Sequence, residues 1–370
     1  MRWKVKHFRN FASFFSAGRA RGMLKTRSGA PTGSEKMKSH GLKILVSLAL
    51  TVVLLYFFFR GVDLAQTRQA ILGASPLWLA ASLAVGLLTF LLRAVRWTWI
   101  LRPVARVGVG PAFAATATGF AANNLPGKVG EVLRPYLLSR SQNLPFSPLL
   151  ASILLERVFD GASVIFFFLL AMAVGMPRSG GFARVLAPAA LLAVLIAVVL
   201  FAVFRRKQAE GLFLKMCRWL PARFRERAAG FALTFVDGFA SLKSPALLAT
   251  ITAGSLAMWF VINVQIYCVL RAFALPLPLS AAYVVTAAAV LGLAVPTPGG
   301  LGSYQVAVMI ALTDVFSVER ATATSVALVA WATSFVFITL IGLGLLLLPS
   351  GRGAIRESGN GRRQTGDGRR

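Results

Sequence analysis

Asn123 to Pro135 reads NNLPGKVGEVLRP and interrupts an otherwise apolar part of the chain. An Asn pair, a Pro-Gly corner and three charges stand where a membrane-crossing helix would place hydrocarbon. A second interruption, VPTPGGLGSYQ from Val295 to Gln305, occupies the other half. Aligned on their corners, Pro126-Gly127-x-x-Gly130 falls on Pro298-Gly299-x-x-Gly302, and Leu101-Arg102 falls near Leu270-Arg271 at almost the same shift. The chain therefore reads as two related halves. Paired Gly/Pro-broken apolar segments at matching positions are the sequence pointer to a transporter's binding site.

Composition places these breaks in a membrane. Of 370 residues, 57% are hydrophobic and only 14% charged, with a mean hydropathy of +0.71. A soluble domain carries about 25% charged residues. The net charge of +28 would suggest nucleic acid on a soluble protein. Here the basic residues lie between and beyond the apolar runs, which fits orientation against an anionic leaflet instead. Cys217 and Cys268 are far apart and lack metal-ligand spacing, and both histidines, His7 and His40, precede the first apolar run. No cofactor or metal is indicated, and no P-loop is present.

Six apolar segments approach the roughly 20 residues a span requires: Leu42–Phe59, Leu77–Leu101, Leu149–Val174, Val185–Phe204, Leu247–Phe273 and Thr322–Leu348. Two more, Pro111–Leu138 and Ala281–Leu312, carry the breaks, and each half of them is too short to cross. The expected fold is an all-α polytopic membrane protein of two inverted halves, each with three spans and one re-entrant helical hairpin. Three crossings per half is an odd number, so the second half would be inverted. The other reading makes both breaks kinks in full spans. The first half is assigned to 43–175 and the second to 185–348. Residues 1–42 form a basic, flexible arm, with Met37 as an alternative start, and 349–370 a disordered basic tail. Basic loops at Arg102, Arg106 and Arg140 and an amphipathic basic segment at 205–245 put both termini in the cytoplasm.

The first break offers Asn123, Asn124, Lys128, Glu131 and Arg134 as substrate-binding residues. Glu131 and Arg134, three apart on a helix, either pair or leave Arg134 for a ligand. Lys128, beside backbone N–H groups at a helix start, suits a phosphate. Arg93 and Arg96 in LLRAVRWTW either snorkel to the interface beside Trp97 and Trp99, or Arg93 reaches a lipid headgroup. Glu156, Arg157 and Asp160 open the third span. Its two acids share a face, and they either balance the arginines or bind a cationic group. In the second break, Thr297, Ser303, Tyr304 and Gln305 offer neutral hydrogen bonds.

RAVRW, GFAANNLPGKVGEVLRPYLL, LLERVFDG and PTPGGLGSYQ together resemble the lysylphosphatidylglycerol synthase transmembrane-region family, also called flippase-like membrane proteins of the UPF0104 type. The resemblance runs from about Leu42 to Leu348. It implies a multi-pass bacterial inner-membrane protein that moves a lipid or lipid-linked molecule between leaflets. Gln305 and Trp331 stand where family members often carry Glu and Arg. The soluble synthase domain of the best-known relatives is not in this sequence, so aminoacyl transfer is not inherited and no enzymatic activity is expected. The residues and the resemblance together lead to a translocator of a lipid with an anionic headgroup. A membrane partner that presents lipid to a biosynthetic enzyme is the alternative, and an intramembrane lipid-modifying enzyme a third reading. Nucleic acid is not an expected partner.

Overall fold

Every described element is helical in the computed structural model, which describes residues 33–124, 129–174 and 244–347. Pro126, Gly127, Lys128, the expected Val185–Phe204 span, the amphipathic segment and the C-terminal tail lie outside the described residues. The helices are α1 (Gly33–Phe59), α2 (Leu64–Leu72), α3 (Pro76–Leu101), α4 (Val109–Ala122), α5 (Gly130–Gln142) and α6 (Phe146–Ala173). After the undescribed stretch come α7 (Pro245–Ala272), α8 (Leu279–Ala294), α9 (Ser303–Ile310), α10 (Arg320–Trp331) and α11 (Phe337–Leu347). A wide π-turn, Ala332–Val336, joins α10 to α11 into one run.

Among the described residues, three runs are long and apolar enough to cross a membrane: Pro76–Leu101, Pro245–Ala272 and Arg320–Gly344. The α1 segment bends by 85° into α2 and makes a fourth if the pair is one span. That corner follows from Asp63, whose carboxylate accepts the N–H of Ala65 at 2.8 Å and Gln66 at 3.1 Å and so starts a new helix. The α6 helix has 28 residues, enough to span, but carries Glu156, Arg157 and Asp160 mid-length.

Both sequence breaks are breaks in the helices. Helices α4 and α8 have 14 and 16 residues, rising about 1.5 Å per residue and therefore falling short of a roughly 30 Å hydrocarbon core. In the first break the arms cross at Gly119, where an added Cβ would meet the Arg134 side chain at 2.8 Å and the Gly130 carbonyl at 3.1 Å. In the second they cross at Gly292, where it would meet the Ser303 carbonyl at 2.5 Å and Ala307 at 2.9 Å. One constant shift along the chain carries Gly119, Gly130 and Arg134 onto Gly292, Ser303 and Ala307. Small residues are what let backbones approach this closely.

Two helix contacts mirror each other along the chain. Helix α4 of the first half packs on α11 of the second, and α8 of the second packs on α6 of the first. Between them α3 and α7 run antiparallel in close contact: Gly86 lies against Gln265, Arg96 against Ser255 and Trp99 against Gly254. The breaks also touch. The Gly299 N–H donates to the Asn123 carbonyl at 3.2 Å, Trp331 Nε1 donates to the Gly299 carbonyl at 2.9 Å, and the Asn124 amide donates to Thr339.

Gly299 has φ +58°, and a Cβ there would stand 2.4 Å from Asn124 Oδ1. Gly299→Ala is expected to cost about 2 kcal/mol, from the left-handed backbone and the crowding of Asn124. Thermal unfolding in detergent checks this. Adding Asn124→Ser should recover the steric part and leave the backbone part.

Candidate functional site

Four guanidiniums and two carboxylates converge where α3, α5 and α6 meet. Arg93 and Arg96 lie three residues apart on α3, so one face of that helix presents both. Arg134 comes from the second turn of α5, and Glu156, Arg157 and Asp160 from the middle of α6. Arg96 and Glu156 are fully buried, and Arg93, Arg134 and Asp160 nearly so. Arg157 alone keeps 38% of its side chain exposed.

Glu156 is the hub. It meets Arg134 Nη1 at 2.9 Å, Arg96 Nη2 at 3.2 Å and Arg93 Nη1 at 3.3 Å. Asp160 meets Arg96 at 2.7 Å, Arg93 at 3.4 Å and Arg157 at 3.5 Å, and accepts the Trp259 indole N–H at 3.0 Å. Aromatic faces take up part of the remaining field. Arg134 lies 3.8 Å above the Trp97 ring and Arg93 5.0 Å from Phe120. Trp97 is held in turn by donating to Ser152 Oγ at 2.9 Å.

The sequence left three questions open that these distances answer. Arg93 and Arg96 do not snorkel: they point inward, onto α6, and Trp97 is fully buried rather than part of an aromatic belt. Arg134 reaches Glu156 on the neighbouring helix rather than Glu131 on its own. Both carboxylates of α6 face guanidiniums. Glu131 acts electrostatically on Arg157.

The remaining sequence candidates sit at the breaks. Asn123 and Asn124 join the two tips as described. In the second break, Gln305 Oε1 accepts the Gly302 N–H at 2.7 Å, and the hydroxyls of Thr297 and Ser303 are 2.8 Å apart. These neutral groups hold the turn. Trp331 and Gln305, where the resemblance leads one to expect Arg and Glu, thus both bond the backbone of that turn. The Arg96–Ser255 bond of 3.0 Å and the Trp259–Asp160 bond were not foreseen. Their signal is the pair of polar-capable residues one turn apart on one face of an apolar α7.

Charge does not balance within the group. Four arginines face two acids in direct ion pairs, with Glu131 a third acid acting on Arg157, and Nε of all four, together with Arg134 Nη2, has no hydrogen-bond partner among the described residues. Each buried ion costs several kcal/mol unless paired and bonded, and arginines at membrane depth mark ligand pathways. The arrangement is therefore a buried ion-pair cluster in which guanidiniums outnumber carboxylates and several N–H groups stay unused.

Residues 44–342 match the lysylphosphatidylglycerol synthase TM region family. The chain belongs to that family. A UPF0104 membrane protein of Methanothermobacter thermautotrophicus is 27% identical over 322 residues, 81% of this chain and 91% of that protein. Glycosyltransferase AglD of Haloferax volcanii is 29% identical over 119 residues, 32% of this chain and 19% of AglD. Membership of the lysylphosphatidylglycerol synthase TM region family and the apolar helices make this a multi-pass, all-helical membrane protein.

Proposed function

We propose that the chain is a lipid translocator whose buried arginine cluster takes the anionic headgroup of a phospholipid or lipid-linked molecule. The observation that carries this reading is the surplus of buried guanidiniums over carboxylates, with unused N–H groups on Arg134. Arg93, Arg134 and Lys128 hold the phosphate, while Glu156 and Asp160 fix the arginines, and Glu131 with Arg157 sets the potential at the half-exposed side. Asn123, Asn124, Ser303 and Gln305 line the meeting point of the breaks. Both breaks are re-entrant hairpins entering from opposite sides, in halves of inverted topology. The mirrored contacts of α4 with α11 and α8 with α6, the constant shift between the two arm crossings, and the contact between the tips support that geometry. Rocking of the halves about α3 and α7 then exposes the cluster to each leaflet in turn. The protein lies in the cytoplasmic membrane with both termini inside.

The match to part of AglD favours one second reading, in which the same site presents a lipid to a glycosyl-transferring enzyme. Proteoliposomes separate the two. The translocator reading predicts that leaflet exchange of fluorescent phosphatidylglycerol exceeds that of protein-free vesicles and falls about tenfold or more in Arg134→Met, the loss of a charge-assisted contact. Exchange at the protein-free rate for anionic phospholipids and lipid-linked sugars alike contradicts it.

A further inference from the structure

Helix α7 carries a polar row at Ser255, Trp259 and Asn263, each one turn beyond the last and turned by about 40°. The first two members serve the arginine cluster: Ser255 accepts from Arg96 at 3.0 Å and Trp259 donates to Asp160 at 3.0 Å. Asn263 continues the row about 6 Å farther along the axis. It is 1% exposed. Neither its Nδ2 nor its Oδ1 has a hydrogen-bond partner among the described residues. On α8 the Thr286 hydroxyl, also buried, is unpartnered in the same way.

A buried amide with neither function used is costly, since its donors and acceptor have left water for nothing. It differs from two other buried amides, because Gln305 spends its oxygen on Gly302 and Gln265 donates to Ser334. The unused chemistry is also specific. A carboxamide left with both capacities fits a group that itself both donates and accepts, namely a hydroxyl or another amide. A bare phosphate only accepts, and an ammonium only donates.

We infer that Asn263 is a specificity-determining residue that reads a hydroxyl or amide group on the headgroup whose phosphate the arginines hold. This rests on the anion-site reading above and narrows it. The substrate class becomes a phosphodiester lipid bearing a polyol, sugar or amide substituent close to the phosphate.

The test compares two lipids of equal charge: short-chain phosphatidylglycerol, with two headgroup hydroxyls, and phosphatidylmethanol, with none. Each is titrated into the purified protein in phosphatidylcholine nanodiscs. The expected result is about tenfold tighter binding of phosphatidylglycerol, the scale of a buried hydrogen bond. Asn263→Leu should abolish that preference, leave phosphatidylmethanol binding as it was, and leave the melting temperature unchanged or higher, because an unpaired amide is removed at similar volume. Equal affinity for the two lipids on the unaltered protein overturns the inference and spares the anion site, and this comparison requires no variant to fold. A preference that survives Asn263→Leu, or equal weakening of both lipids, also overturns it. No binding of either lipid overturns the anion site itself and this inference with it.

Discussion

Glu156→Gln is expected to destabilise the protein by about 3–5 kcal/mol, the range for removing one partner of a buried ion pair. The substitution keeps the shape of the side chain and deletes one charge. Of the three guanidiniums within 3.3 Å of that carboxylate, Arg93 and Arg96 then keep Asp160 and Arg134 does not. Arg134 is left stranded, because its only ionic partner among the described residues is Glu156. Thermal unfolding in detergent should show the loss. Arg134→Met on top of Glu156→Gln should recover part of it, since the stranded charge is then removed as well. A drop below about 1 kcal/mol would mean that the cluster is solvated and the charges act as they do at a surface.

The second large effect comes from a single methyl group. A Cβ added at Gly130 would stand 1.8 Å from the Gly119 carbonyl oxygen and 2.6 Å from Asn123 Oδ1. The carbonyl belongs to α4 and cannot rotate away, so the two arms of the first break must separate. Ordinary overpacking costs about 1–3 kcal/mol, and a backbone clash belongs at or above the top of that range. Arg134 is one turn further along α5, so the same displacement pulls it from Glu156 and Trp97. Gly130→Ala should therefore lower stability and lipid handling together. Gly110→Ala is the control: nothing among the described residues lies within 4 Å of its added Cβ, and in a helical position alanine is expected to be neutral or stabilising.

Much of this was legible in the residues themselves. The two proline-glycine corners marked where helices stop, because glycine permits the turn and proline cannot continue the ladder. Hydropathy located α3, α7 and the α10–α11 run within a few residues of their ends. It could not foresee the 85° corner after Phe59, which depends on a cap at Asp63, a residue that reads equally well as a loop charge. The charged residues of α3, α5 and α6 were visible one by one, but their pairing was not. An i, i+3 neighbour is the nearest candidate in a linear sequence, so Glu131 stood beside Arg134. Only the crossing of α5 over α6 brings Glu156 closer. Arg93 and Arg96 near a helix end likewise look like snorkelling residues until α6 is seen to pass beside them. Ser255, Trp259 and Asn263 were silent for another reason. Serine, tryptophan and a lone asparagine are ordinary in an apolar span, and their role follows from which helix α7 faces.

The account's central claim is that the surplus positive charge between α3, α5 and α6 is met by a phosphate-bearing lipid. Native mass spectrometry of the protein released from detergent tests this most directly, comparing the unaltered chain with Arg134→Gln. The account predicts that the unaltered chain retains an anionic phospholipid or lipid-linked phosphate in preference to zwitterionic lipid, and that Arg134→Gln loses that adduct while remaining folded. The same retained lipids on both proteins, or retention in proportion to bulk membrane composition, would contradict it.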